Sequence, residues 1–179
     1  MRIISGKYKG KRLNAPKNLP ARPTTDLAKE ALFNILNNRY YFEDLSVLDL
    51  FAGIGSISFE FASRGAKEVI SVDKHFNSVQ FIRKTVKELH LPINALKSDV
   101  YSFLNKTTLK FDIIFADPPY EFSGDQFKEL ITSVFSKDLL NDEGLLIIEH
   151  SRRTDLSENS YFSHSKKYGG SSFSFFEQE

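Results

Sequence analysis

The chain contains no cysteine, which excludes disulfides, thiolate metal ligands and a cysteine nucleophile. Histidine is scarce as well. His75, His90, His150 and His164 are the only four, and none stands at a paired ligand spacing, so no metal site is expected. No apolar run approaches the length of a membrane span, and the opening MRIISGKYKGKRL lacks the hydrophobic centre of a secretory signal. A cytoplasmic protein with no membrane contact is the expectation. Internal repeats and low-complexity stretches are missing, and so is almost all net charge, which is +1.

What the sequence does have is a core-sized apolar fraction and an uneven distribution of charge. With 179 residues, 41% hydrophobic and 26% charged, one globular unit is expected. The near-neutral total hides a basic start. Residues 1–30 carry Arg2, Lys7, Lys9, Lys11, Arg12, Lys17, Arg22 and Lys29 against Asp26 and Glu30 alone. Such an arm on a near-neutral body fits a local polyanion contact; the alternative is a solvated tail.

Along the chain, RIISGKYKGKRLNAP reads as a small β-hairpin broken by Gly6 and Gly10, and LPARPTT as a connector whose Thr24 or Thr25 caps a helix. That helix, DLAKEALFNILNN, would pack Leu27, Ala31, Leu32, Ile35 and Leu36 on the body. Residues 1–40 therefore form a basic extension, and residues 41–179 the main domain. From residue 47 strands and helices alternate. VLDLF, EVISVD, INALKSD, FDIIFAD and LLIIEH read as strands, separated by helical ISFEFASRG, HFNSVQFIRKTVKELH and QFKELITSVFS, with Phe76, Val79, Ile82, Val86 and Leu89 spaced as one helix face. Strands apolar on both faces imply a parallel sheet covered on both sides. YFSHSKKYGGSSFSFFEQ reads as an antiparallel hairpin around Gly169 and Gly170. The expected fold is α/β, a doubly wound, mostly parallel seven-stranded Rossmann-like sheet closed by that hairpin.

Ligands of such sheets bind at the carboxyl ends of the strands. The first end is Asp49-Leu50-Phe51-Ala52-Gly53-Ile54-Gly55, where two glycines allow a tight turn and close approach. Ser58 replaces the third glycine of a dinucleotide loop, and Asp49 suits a cationic ligand better than a pyrophosphate; alternatively Asp49 only ties down the loop. The second strand ends in Asp73, followed by Lys74, where a carboxylate can accept from both hydroxyls of a ribose or bond to the next helix. The third ends in Asp99-Val100, an acceptor for an adenine amino group or an ordinary helix cap. A positively charged, ribose-bearing adenosine ligand is S-adenosylmethionine, which makes methyl transfer the leading chemistry.

The fourth end is Asp117-Pro118-Pro119-Tyr120. An exocyclic amino group of a nucleobase is a poor nucleophile because its lone pair is delocalised. Asp117 and the Pro118 carbonyl can accept its two hydrogens and steer the lone pair, the two prolines stiffen that edge, and Tyr120 can stack on the base. In isolation such a segment would be a Pro-rich turn capped by its aspartate.

These residues together resemble the class I S-adenosylmethionine-dependent methyltransferases that modify base amino groups. More closely, the chain resembles the bacterial small-subunit rRNA methyltransferase D family, guanine-N2 methyltransferases of 16S rRNA. MRIISGKYKGKRL and RPTTDLAKEALFNIL are similar to that family's opening, VLDLFAGIGSISFEFASRGA to its cofactor loop, FADPPY to its catalytic motif and KKYGGSSFSFF to its closing hairpin. The resemblance implies that residues 41–179 are a methyltransferase domain. Asp49, Phe51, Ala52, Gly53, Gly55, Asp73, Lys74, Asp99 and Val100 would hold the cofactor, and Asp117 to Tyr120 the target guanine. Arg2, Lys7, Lys9, Lys11, Arg12 and Arg22 would meet phosphates of 16S rRNA, naked or within a small subunit or assembly intermediate. Lys166, Lys167 and Tyr168 are either further RNA contacts or a solvated face. Nothing demands more than a monomer. The rival readings are an adenine-N6 methyltransferase, since DPPY serves that amine equally well, and a non-catalytic RNA-binding assembly factor; a nicotinamide oxidoreductase ranks last.

Overall fold

The computed structural model describes residues 1–16, 19 and 24–178. Seven strands form one sheet: β1 (Ser46–Leu50), β2 (Glu68–Asp73), β3 (Ile93–Lys97), β4 (Phe111–Ala116), β5 (Leu140–Ser151), β6 (Phe162–Tyr168) and β7 (Ser171–Phe176). Their spatial order is β3-β2-β1-β4-β5-β7-β6. β1 to β5 are parallel, and β7 enters antiparallel between β5 and β6. The chain moves outward from β1 to β3 and then returns to place β4 on the other side of β1. The order therefore reverses between β1 and β4, which opens a crevice at the carboxyl ends of those two strands.

Alternation along the strands supplies two cores. Val47, Val69, Ile113, Phe115 and Ile147 meet α1 (Asp26–Asn37), α2 (Ser56–Ser63) and α3 (Phe76–Leu89) on one face. Leu48, Leu50, Ile70, Ile114 and Leu146 meet α4 (Val100–Lys106) and α5 (Gly124–Ser136) on the other. Fully burying each such side chain contributes about 1.5–3 kcal/mol, and it is the reason the central strands read as unbroken apolar runs. The doubly wound fold and the closing hairpin are as expected from sequence. The short VYSFL segment forms α4, and α5 begins with a capping box in which Ser123 and Gln126 satisfy each other's backbone N–H.

Two local expectations need correction. Helix α1 is capped by Thr25, but its buried face is Ala28, Lys29, Leu32, Phe33 and Leu36, while Leu27 is 66% exposed and Ala31 and Ile35 are only partly covered. The helix is turned because Lys29 is internal. Its ammonium, whose pKa burial lowers, donates to the Arg2 carbonyl at 2.5 Å and lies 3.7 Å from the Asp26 carboxylate. Phe76 likewise leaves the predicted face of α3 and is exposed beneath the Lys97 ammonium.

The expected N-terminal hairpin forms as a short antiparallel pairing: Arg2 is bridged to Arg12, and the amides of Ile3, Gly10 and Leu13 donate to the carbonyls of Lys11, Ile3 and Met1. Other backbone donors of the arm reach α2. The amides of Ile4 and Ser5 donate to the buried Glu60 carboxylate on α2 at 2.9 and 3.0 Å, and those of Lys7 and Tyr8 to Ser63. Gly6, at φ +81°, lies so close to α2 that a Cβ would stand 1.9 Å from the Ser63 carbonyl oxygen. The arm is thus paired with itself and also bonded to α2.

Candidate active site

A cavity of about 990 Å³ opens over the carboxyl ends of β1 to β5, bounded by the start of α1 and by the β6–β7 turn. It gathers Asp49, Asp73, Asp99, Asp117 and Glu149, together with the loop from Phe51 to Ile54.

On the β1–β3 side the acids organise backbone. Asp73 Oδ2 accepts from the Gly53 amide and Oδ1 from the His75 amide, both at 2.8 Å, so one carboxylate joins the glycine turn to the start of α3. Gly55 closes that turn at φ +78°; a Cβ there would lie 3.0 Å from Ile82 and Phe59. Phe51 also adopts a left-handed backbone, φ 57°, strain of the order of 1–3 kcal/mol for a residue of this kind. Its ring packs edge-on to Phe122 at 5.6 Å. Asp99 caps α4 through the Ser102 amide, as one of its two expected readings required. Lys74 and Ala52 line the same wall, and Val100 is buried behind it.

Asp49 is 2% exposed, and its Oδ2 accepts from both the amide and the hydroxyl of Ser58, at 3.1 and 2.5 Å. The serine at the missing-glycine position therefore ties α2 to β1. Burial nevertheless pushes the Asp49 pKa up to about 7, with the Ser58 hydrogen bonds opposing and Asp73 adding to the rise.

Two serines that sequence reasoning passed over belong to this wall. Among the described residues, Ser56 Oγ and Ser78 Oγ are buried without a hydrogen-bond partner, and both residues line the cavity. Ser56 is the first residue of α2, whose N-cap, Gly55, offers no side-chain acceptor. Free amides, an orphaned hydroxyl and the Asp73 carboxylate fit a ligand with one anionic end and a ribose.

On the β4–β5 side, among the described residues, the Asp117 carboxyl has no hydrogen-bond donor while Glu149 is met by two hydroxyls. Burial, then Glu149, then Asp49 raise the Asp117 pKa well above the usual carboxylate range. Pro118 is buried, Pro119 exposed, and the Tyr120 ring is 75% exposed at the cavity edge. Glu149 is the acid that sequence reading missed. It is 8% exposed, accepts from the Thr24 hydroxyl at 3.2 Å, and is raised chiefly by burial, against hydrogen bonds from Ser171 and Thr24. The same strand-end rule that singled out the four aspartates applies to it, since it closes LLIIE. Next to it, His150 is structural: Nδ1 donates to the Ser151 carbonyl at 2.8 Å and Nε2 accepts from the Ser174 hydroxyl at 2.7 Å.

The basic candidates divide. Lys7 and Lys9 are exposed at the turn that docks on the C-terminal end of α2, with Tyr8 bonded to the Leu89 carbonyl at the end of α3. That is the helix end remote from the cavity, about 12 Å along eight residues. Arg2 pairs with Asp26 at the start of α1, the cavity end, at 3.0 Å. Lys11 and Arg12 line a separate groove of about 650 Å³ with Lys84 and Glu88 of α3. Arg22 lies outside the described residues. Lys166 and Lys167 are exposed on β6, and Tyr168 borders the cavity.

The family described as conserved hypothetical protein 95 matches residues 1–177. Ribosomal RNA small subunit methyltransferase D of Escherichia coli strain K12 is 33% identical over 151 residues, 83% of this chain and 74% of that protein. Among solved structures, a hypothetical protein of Thermus thermophilus superposes with a TM-score of 0.86 at 27% identity, covering 99% of both chains. A second, the T. thermophilus 16S rRNA N2 methyltransferase RsmC in complex with AdoMet and guanosine, superposes with a TM-score of 0.69 at 26% identity, over 90% of this chain and 45% of that one.

Proposed function

The chain belongs to the conserved hypothetical protein 95 family, and from that premise we propose that it methylates the N2 amino group of a guanine in small-subunit ribosomal RNA, using S-adenosylmethionine. One observation carries the reading. The Asp117-Pro118-Pro119-Tyr120 edge and the Gly53–Asp73 turn open into one cavity, so an amino group held at the first would face an adenosine cofactor held at the second.

The cofactor supplies an electrophilic methyl group on a positively charged sulfur. Asp73 would hold the ribose, Asp99 the adenine amino group, and Ser56 with the amides of α2 the carboxylate of the methionine end. Asp49, Phe51, Ala52 and Gly53 would line the approach to the reacting methyl group. Asp117 and the Pro118 carbonyl accept the two amino hydrogens and point the lone pair, while Tyr120 covers the base. Positive charge beside Asp117 would favour its ionised, hydrogen-bond-accepting form. That carboxylate is then placed to take the proton that the amine loses as the N–C bond forms. Alignment and aimed acceptors constitute the catalysis.

The experiment is methylation of small ribosomal subunits from a strain lacking the protein, with labelled S-adenosylmethionine and nucleoside analysis of the product. N2-methylguanosine from the wild type and none from Asp117→Ala is the expected result. N6-methyladenosine would overturn the choice of base. No transfer by a protein that binds the cofactor would overturn the enzyme reading in favour of an RNA-binding scaffold.

A further inference from the structure

Asp117 can grip an amino group, but guanine and adenine differ beside that group rather than on it. Guanine places a donor, N1–H, next to its N2 amino group; adenine places an unprotonated N1 next to its N6 amino group. A flipped base is read along this edge. A guanine site therefore needs a second acceptor beside the first, and an adenine site needs a donor there.

β5 supplies an acceptor at that place. Ala116 pairs with Ile148 in the parallel register of β4 and β5, so Asp117 and Glu149 are the next residues on neighbouring strands, roughly 5 Å apart across the sheet. Glu149 shares the sheet face of Ile147, and Asp117 follows two residues after Phe115, on that same face. Both acids line the cavity. Glu149 accepts from Thr24 through Oε2 and also from Ser171; a carboxylate has about four lone-pair sites, so acceptor capacity remains for a base donor. The turn between β6 and β7, at Gly169 and Gly170, borders the same part of the cavity, away from the Asp73 wall.

We propose that Glu149 is the specificity-determining residue of the base pocket, its carboxylate accepting guanine N1–H while Asp117 accepts an N2 hydrogen. Two adjacent donors then meet two adjacent acceptors. Adenine would set the lone pair of N1 against a carboxylate oxygen, which rejects it by repulsion as well as by a lost hydrogen bond. The inference rests on the guanine-methylation reading above. Both carboxylates are pushed toward their neutral forms by burial in the free protein, and two base donors relieve that crowding.

2-Aminopurine riboside tests this, because it keeps the 2-amino group but has an unprotonated N1 and a fluorescence that stacking quenches. The full chain, saturated with S-adenosylhomocysteine, is titrated with the fluorescent nucleoside and then competed with guanosine. The wild type is expected to prefer guanosine by about tenfold, the scale of one charge-assisted hydrogen bond. Glu149→Gln keeps the size and the bond to Thr24 but can present an N–H; it should lose that preference or reverse it, with S-adenosylhomocysteine affinity unchanged. Thr24→Val, which leaves the carboxylate but frees it to rotate, should narrow the ratio and serves as the decisive variant if Glu149→Gln fails to fold. An unchanged guanosine to 2-aminopurine ratio in either folded variant overturns the proposal. If the wild type still yields N2-methylguanosine on small subunits, only the role of Glu149 falls; if it yields N6-methyladenosine, the base assignment falls with it.

Discussion

At the carboxyl ends of β2 and β3 the acids already have partners: Asp73 holds the amides of Gly53 and His75, and Asp99 holds that of Ser102. At the ends of β4 and β5, Asp117 and Glu149 share a buried space in which each carboxyl is pushed toward its neutral form, and Glu149 is among the causes of the shift at Asp117. One cavity thus has a finished wall and an unfinished one. The finished wall is tied down by its carboxylates, which hold loop amides. In the unfinished wall Asp117 has no hydrogen-bond donor among the described residues, and burial disfavours its charge until positive charge or donors arrive. Stability is given up where chemistry needs acceptors free, a division expected of a catalytic site.

The sharpest way to break this comparison is to delete one acid from each wall. Asp117→Ala is expected to lower the methylation rate by about 10²–10⁴-fold and to leave cofactor affinity nearly unchanged. Asp73→Ala should do the reverse. Loss of the ribose contacts proposed for it should weaken cofactor binding about tenfold or more, and two amides without acceptors cost about 1–3 kcal/mol each in stability where they stay buried. Equilibrium cofactor binding, thermal melts and single-turnover rates on the two variants separate these effects. Equal losses of cofactor affinity in both would show that the walls do not act separately.

How far each wall was legible depends on whether its partners are local in sequence. The five parallel strands and the closing hairpin stood out because burial on both faces writes continuous apolar runs. Asp73, Asp99 and Asp117 stood out because each closes such a run, and Asp49 because it precedes the glycine turn after β1. Glu149 follows the apolar run LLII too, but its strand continues to Ser151 and does not stop at the acid. The internal charges were hidden for a different reason. Glu60 is satisfied by amides of Ile4 and Ser5, more than 50 residues away, and Lys29 by the carbonyl of Arg2. A helix-period count treats Lys29 as solvent-facing, and so it placed the buried face of α1 one position off. Asp99 was ambiguous because a cap and a ligand acceptor use the same residue at the same place.

Asp49 lies at the seam between the walls and sharpens the comparison through pH. Its pKa is about 7 in the folded chain, against 3.8 when free of the fold. Between those values the unfolded chain has released the proton and the folded chain has not, so this group makes stability fall as pH rises from about 4 to 7 and level off above. The full shift corresponds to about 4 kcal/mol at 1.36 kcal/mol per unit. Asp49→Asn, which retains an acceptor for the Ser58 amide, should gain in melting temperature over the wild type progressively between pH 5 and pH 8 in the cofactor-free protein. A difference that stays constant across that range would mean that Asp49 is already ionised there.

The smallest effect concerns the arm outside both walls. If the basic residues meet RNA phosphates, each contact releases condensed counterions, and the slope of log affinity against log salt falls by about 0.7 for each single-strand contact removed. The arm's charges are not equivalent in place. Arg12 is bridged to Arg2, which is paired at the cavity end of α1, whereas Lys7 sits where the arm meets the far end of α2. A strand threading from the cavity along the groove of Lys11, Arg12 and Lys84 would pass the first pair and miss the second. The double variant Lys11→Gln/Arg12→Gln should therefore lower the salt slope by about 1.4, and Lys7→Gln/Lys9→Gln by much less, with cofactor affinity unchanged in both. Equal drops would mean that RNA follows the whole arm to the far end of α2, and no drop in either would leave the arm as a solvated tail anchored through Glu60.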